Sequence, residues 1–485
     1  MKLIINGFYN NPSLNQAFIN IMNEFQASQC HVFTDGNIPN PNLLPPINIT
    51  FYDHQQMILG SYININWHEI KPLDEEIISK MAKCESLVLR MMERISSELL
   101  TYDTRKRMYL RHLRYWNYIL DKEEINLFLA SGIPHEVYDY IIYCLCKLKN
   151  IPTLLIIQSS IDGVVFVSKD WEEPAIEIAK TYEQIIKHQP ELIQLSDLFR
   201  KHYIRQTSKE NDPIPWYMDN MSNIPIVIKD LSKKIKQSPF KTFFKIFNLP
   251  KALSKLIKTT QYLQKTKELF DLYESNAISP NLSEKYIYVA LHYQPECTTS
   301  PMAGAFVDQL LIVQMIANVL PEDIYLYVKE HPCQTLHGRD INFYNDLLDI
   351  PQVRLIPRAY NSFRLLENCL AVATATGTAG WEGLFRQKPV LMFGHHFYQY
   401  APKVFPIHSL EDCEIAIHKI VNCAVKPSLH EMEIFLKAME TIAVIGYADM
   451  DFHSVVSVSD KANTSNLSYA LKQKIHQLGF ATLNQ

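Results

Sequence analysis

Between residues 284 and 400, five short apolar runs, YIYVAL, IYLYV, VRLI, LAVATA and PVLMFG, are separated by stretches with helical spacing. A chain of that rhythm has few options, because strands joined by crossover helices must lie parallel in one sheet covered on both faces. The region therefore predicts a doubly wound sheet, with helices near 304–319, 340–348 and 362–369 and another opened by Thr378 as its cap. Ligands of such sheets bind outside the carboxyl ends of the strands, so chemistry is to be sought in the residues that follow each run.

The first 200 residues repeat the alternation less cleanly. KLIIN, CHVFT, INLFLA and TLLIIQ alternate with helical patterns, among them HEVYDYIIYCLCKL and a long stretch from about Glu75 to Leu120. That predicts a first Rossmann-like sheet, and 485 residues exceed what one ordinary core holds. The expected domains are residues 1–200, a helical Lys-rich insertion or linker at 201–280, the second Rossmann-like unit at 281–425, and C-terminal helices at 426–485 that pack on either domain. Within the insertion, SPFKTFFKIFNLPKALSKLIK reads either as a solvated helix with one packed face or as an interfacial helix drawn to anionic lipid.

The bulk numbers exclude several classes. A net charge of -4 provides no general attraction to nucleic acid, and 47% hydrophobic with 20% charged residues describes a soluble globular chain. MKLIINGFYNN turns polar after four apolar residues and reads as a first strand, not a signal peptide. No apolar run approaches the roughly 18 residues of a membrane span. Nine cysteines without a C-x-x-C pair fit a reduced, cytoplasmic compartment, peripheral to the inner membrane if the Lys-rich segment meets lipid. There is neither a G-x-G-x-x-G after a strand nor a Walker loop.

Three strand ends carry candidate chemistry. After the first run of the second domain, HYQPECTTS provides Gln294, Glu296, Thr298, Thr299 and Ser300; after the second, KEHP provides Lys329, His331 and Pro332. After the fourth, TATGTAGWEGL holds Gly377, Thr378, Ala379 and Glu382, and three of the chain's 13 glycines. Gly377 is expected to turn the chain sharply and expose N–H groups to an anion, with Glu382 placed to accept from ribose hydroxyls. Each motif alone also reads as a polar turn or a tight strand-to-helix corner. Asp449 and Asp451 in DMD are expected in a solvated loop, and the adjacent His395 and His396 lack an evident third ligand, so no metal site is expected.

YVALHYQPECTTSPMAG, LPEDIYLYVKEHP and TATGTAGWEGLFRQKPVLMFG resemble blocks of the bacterial capsule polysaccharide biosynthesis proteins, the group that includes the capsular Kdo transferases. A weaker likeness runs through RYWNYILDKEEINLFLASGIPHEVYDYIIYCLCKLKNIPTLL. The resemblance implies a GT-B glycosyltransferase, α/β in class, whose N-terminal domain meets the acceptor and whose C-terminal domain holds a nucleotide sugar. The donor implied is a CMP-linked acidic sugar of Kdo or nonulosonic acid type, used without a metal or further cofactor, and the acceptor a surface polysaccharide or lipid-linked glycan. His331 with Pro332 would contact the CMP phosphate, Gly377, Thr378 and Ala379 would cradle it, and Glu382 would hold the ribose. For the catalytic base the candidates are Glu136 and His135 after INLFLA, and Asp162, where Ile161 replaces the first acid of an acidic-acidic-Gly motif. A UDP-sugar transferase and a non-catalytic scaffold of a polysaccharide assembly complex remain as alternatives.

Overall fold

The computed structural model describes residues 1–36, 44–63, 65–95, 100–188, 192–208, 212–214 and 249–481, with side chains in the last stretch from residue 260 onward. In chain order the first domain runs β1 (Lys2–Phe8), α1 (Pro12–Glu24), β2 (Gln29–Thr34), β3 (Asn48–Asp53), α2 (His54–Ile58), α3 (Glu75–Lys80), α4 (Ala82–Met91), α5 (Tyr102–Lys122), β4 (Leu127–Ala130), α6 (Tyr138–Leu148), β5 (Thr153–Gln158) and β6 (Val164–Ser168). Helices α7 (Glu177–Lys187), α8 (Asp197–Thr207) and α9 (Leu249–Asn276) follow. The Lys-rich stretch singled out above lies outside the described residues except for the backbone at the start of α9.

The second domain runs β7 (Tyr286–Ala290), α10 (Leu310–Val319), β8 (Tyr325–Lys329), α11 (Ile341–Leu348), β9 (Val353–Ile356), α12 (Ser362–Asn368), β10 (Ala371–Thr374), α13 (Thr378–Leu384), β11 (Val390–Met392), β12 (Val404–Pro406) and α14 (Leu410–Val421). Its sheet has the order β12-β11-β10-β7-β8-β9 and every pairing is parallel. Strands β10, β7 and β8 are therefore neighbours, and their three carboxyl-end loops share one edge.

The closing elements α15 (Leu429–Ile442), β13 (Val444–Ile445) and α16 (Asp460–Gln477) return to the first domain. Its sheet has the order β13-β6-β5-β4-β1-β2-β3, with β13 antiparallel on β6. Leu467, Leu471 and Ile475 of α16 are buried against Leu14, Phe18 and Met22 of α1, each such side chain worth about 1.5–3 kcal/mol. Asn463 donates to Ser13 Oγ at 2.7 Å and fixes the register of the two helices.

The first domain departs from the sequence reading in three places. The long helix expected from Glu75 to Leu120 is broken into α3, α4, a 3-10 turn at Met92–Arg94 and α5, with Asp74 and Thr101 capping new starts. Apolar periodicity carries straight across such breaks, so it does not reveal them. Strand β3 was hidden by its half-exposed edge position. Strand β6 runs antiparallel to β5 through a tight hairpin in which Gly163 takes φ +77, a value that costs a glycine little.

The domains meet along an apolar seam. Phe166 faces Phe397 with ring centroids 6.0 Å apart, and Met432, Phe435 and Met439 of α15 pack into one cluster with Ile178, Phe199 and Trp381. Ser300 Oγ donates to the Leu87 carbonyl at 3.1 Å, tying the loop after β7 to α4. Two doubly wound sheets face each other across a cleft, the GT-B-like architecture that the resemblance implies.

Candidate functional site

The carboxyl ends of the parallel strands of both sheets open on one cavity of about 670 Å³. The first domain lines it with Tyr9 after β1, Ser131 and His135 after β4 and Ser159 after β5; the second with Thr298 after β7, Thr376, Gly377, Thr378, Trp381 and Glu382 after β10 and His396 after β11, while Ala379 is not among the lining residues. Helix α8 adds His202, Arg205 and Gln206.

The wall after β10 is built around His292. Its Nε2 accepts the N–H groups of Ala375 and Thr376, both at 3.2 Å, and lies 2.8 Å from Thr374 Oγ1, which itself accepts the Gly377 N–H at 3.0 Å. Three donors on one nitrogen require an unprotonated Nε2, and burial pushes this imidazole down to about 3. The Gly377 N–H is thus consumed within the protein.

The glycines serve packing more than turning. Gly377 has φ -71, open to any residue, but a Cβ there would meet Thr374 Oγ1 at 2.8 Å. At Gly380 it would meet Tyr398 Oη at 2.6 Å, and at Gly383 the Val372 side chain at 2.8 Å, because α13 lies directly on β10. The cap of α13 is Gly377, which offers no side chain for a cap hydrogen bond, and Thr378 is the first helical residue. Among the described hydrogen bonds, the N–H groups of Thr378 and Ala379 have no acceptor.

Glu382 projects from α13 into the cavity. It is 6% exposed, yet no described residue hydrogen-bonds its carboxylate. Burial pushes the carboxyl up to about 8, against the pull of Arg386, so the group is mostly protonated at neutral pH. The neighbouring Trp381 Nε1 donates to His202 Nε2 of α8 at 3.1 Å, which anchors the third wall of the cleft.

The other strand-end residues are placed differently. Thr298 reaches the cavity and donates to Glu296 at 3.1 Å, but Thr299 Oγ1 donates to the Glu296 carbonyl and Ser300 Oγ to Leu87, so those two hydroxyls are spent inside the protein. Gln294 uses both ends of its amide, accepting from Arg339 and donating to the Val307 carbonyl at 2.6 Å. Gln294, Glu296, Lys329, His331 and Pro332 are not among the residues lining the cavity. Lys329 is buried, which pulls its ammonium down to about 8. His331 packs on Tyr293 with centroids 5.7 Å apart and accepts the Cys333 N–H on Nδ1 at 3.2 Å; burial lowers it to about 4. Between them Glu330, unremarked in the sequence, forms a fully buried pair with Arg339 at 2.6 Å and accepts from Tyr344 at 2.8 Å.

On the facing wall, His135 lines the cavity and Glu136 sits beside it, Nε2 to Oε1 3.3 Å. Asp162 lies in the β5–β6 hairpin, also on the cavity, with Arg205 of α8 at 3.8 Å. Asp449 borders the cavity too, where the sequence suggested only a solvated loop; its side chain accepts from the Asp451 N–H at 2.9 Å. His292, Asp139 and Arg205 were missed, and His396, which lines the cavity, was weighed only as a metal ligand. His292 stood inside a motif already singled out, and its place directly after β7 was the available signal. Arg205 comes from a helix far away in sequence and had none. Among the described residues no group of three His, Cys, Asp or Glu is placed to hold a metal ion, and no helix is long and apolar enough to cross a membrane.

The sequence model of the capsule polysaccharide biosynthesis protein family matches residues 297–401. That segment runs from the loop after β7 past the turn after β11 and contains Thr298, Gly377, Glu382 and His396. Similar solved structures include UDP-GlcNAc 2-epimerase from Methanocaldococcus jannaschii, at 12% identity over 87% of this chain and 93% of that one, with a TM-score of 0.25. KpsC from Thermosulfurimonas dismutans, a beta Kdo 2,7 transferase, is 11% identical over 73% of this chain and 95% of its own, with a TM-score of 0.29. A glycosyltransferase from Rickettsia africae is 10% identical over 98% of both chains, with a TM-score of 0.25. No curated protein matches the chain.

Proposed function

We propose that this chain is a glycosyltransferase of capsule polysaccharide synthesis that moves an acidic sugar from a CMP-linked donor to a glycan acceptor. The observation that carries the reading is Glu382, a buried carboxyl with no described hydrogen-bond partner, facing the cavity one turn from the unclaimed amides of Thr378 and Ala379. Burying such a group without a partner costs free energy, which a ligand's hydroxyls would recover. The position of this wall within the family-matched segment supports the same reading.

In this reading the donor's ribose lies on Glu382 and its phosphate reaches the amides of Thr378 and Ala379, with Thr298 alongside. His331 stands behind this wall, where it supports the loop that follows β8. The acceptor enters from the side of His135, Ser159 and Asp162. Transfer proceeds without a metal, so turnover in EDTA should equal turnover in magnesium.

Thermal-shift measurements with CMP, UDP, GDP and ADP test the donor, since a ligand bound to the folded state raises the midpoint by mass action. CMP is expected to give the largest shift and Glu382→Ala to abolish it. A larger shift with UDP would assign a UDP-sugar instead, and no shift with any nucleotide would favour a scaffold.

A further inference from the structure

The loop after β4 holds an arrangement that the donor site leaves unused. His135 Nδ1 lies 2.6 Å from the Ile133 carbonyl oxygen, which only accepts, so Nδ1 carries the hydrogen. In the neutral ring Nε2 is then the accepting nitrogen, and it faces Oε1 of Glu136 at 3.3 Å. The imidazole lines the cleft, with a third of its side chain exposed; Glu136 is not among the lining residues. A proton that arrives at Nε2 produces an imidazolium in contact with the Glu136 carboxylate.

The loop is fixed from beneath by Asp139, which is 1% exposed. Its Oδ1 accepts the N–H groups of Glu136 and Tyr140, both at 2.7 Å, and its Oδ2 accepts the His135 N–H at 3.1 Å and Asn6 Nδ2 at 3.0 Å. From above, the Arg94 guanidinium donates to the His135 carbonyl. Val137 is held at φ +72, a conformation that a β-branched residue adopts only when its surroundings impose it.

We infer that His135 Nε2 takes the proton of the glycan acceptor's hydroxyl, that Glu136 stabilises the charged ring, and that Asp139 is the positioning residue of their loop; the inference rests on the glycosyl-transfer reading above. The acceptor oxygen forms its bond to the anomeric carbon as its O–H bond breaks and the proton passes to Nε2. The bond from the anomeric carbon to the donor phosphate oxygen breaks, and its electron pair leaves on the phosphate. The charged groups that face the ring are Glu136 on its own loop, Arg94 from the turn after α4 and His54 of α2, with Asp139 below. Burial and Arg94 lower the affinity of His135 for a proton and Glu136 raises it, with a net effect below the usual imidazole value. The basic form is thus the prevailing one near neutral pH.

The test uses the full-length protein and its His135→Gln, Glu136→Gln and Asp139→Asn variants, with turnover against pH and the CMP thermal shift read in parallel. With donor saturating, wild-type kcat should rise with pH through a single limb below the ordinary imidazole range and then level. His135→Gln should lose about 10²–10⁴-fold in kcat, lose that limb and keep the CMP shift. Glu136→Gln should move the limb to lower pH. Asp139→Asn should lower kcat with the donor KM unchanged, and imidazole added to a His135→Gly variant should restore part of the rate. Wild-type kcat and an intact limb in His135→Gln overturn the assignment while the donor reading stands. A wild-type protein that neither binds a nucleotide nor transfers sugar overturns the donor reading itself, and this assignment with it.

Discussion

His292 Nε2 and Thr374 Oγ1 lie 2.8 Å apart, and through that contact the end of β7 holds the turn that follows β10. Replacing His292 by Ala leaves the Ala375 and Thr376 N–H groups without an acceptor, at about 1–3 kcal/mol for each buried group. We expect His292→Ala to lower the thermal midpoint by several degrees and to abolish the CMP shift. An unchanged midpoint would show that the turn stands without the imidazole.

Glu382 makes ligand binding depend on pH. Its folded-state value of about 8 lies above the ordinary carboxyl value, so the stability tied to its proton is complete below that ordinary value and is lost as pH rises through about 8. CMP affinity should weaken over the same upper range, as the neutral carboxyl loses the hydrogen it donates. Glu382→Gln should bind CMP at pH 7 and show no weakening between pH 7 and 9. Isothermal titration at several pH values measures both.

Gly380→Ala tests the packing account of the glycines. The new methyl meets Tyr398 Oη, the hydroxyl that donates to the Gly377 carbonyl, so the substitution strains the helix and loosens the turn together. The expected cost is about 1–3 kcal/mol, read as a lower midpoint in denaturant, with a weaker CMP shift. A neutral Gly380→Ala would mean that Tyr398 gives way freely.

The buried Glu330–Arg339 pair should be intolerant of half-removal. Arg339→Met strands an uncompensated carboxylate between Tyr344 and the sheet edge, a loss of about 3–5 kcal/mol. The double variant Glu330→Gln with Arg339→Met should recover part of that loss, since no charge then remains without its partner. Equal destabilisation by the single and double variants would contradict this.

The second sheet was largely legible because five of its six strands are short, mainly apolar runs separated by helical stretches, so a parallel, doubly wound sheet follows from the alternation; β12, three residues at the edge, was not read, and the strand order came only with the structure. Which strand-end side chains face a ligand was not legible. Thr298, Thr299 and Ser300 are adjacent and chemically alike, yet only Thr298 reaches the cavity, because Thr299 folds back on Glu296 and Ser300 crosses to Leu87. Asp139 looked like an ordinary residue of α6, since nothing in sequence announces four donors converging on one carboxylate. The first domain was harder to read, because β6 pairs antiparallel and caps at Asp74 and Thr101 cut an otherwise continuous helical pattern.

The return of α16 to α1 gives the chain two passages between the domains, one after β6 and one after α14. The cleft wall that carries His135 and the one that carries Glu382 are thus tied to each other twice along the chain, and the cluster around Phe435 packs where they meet.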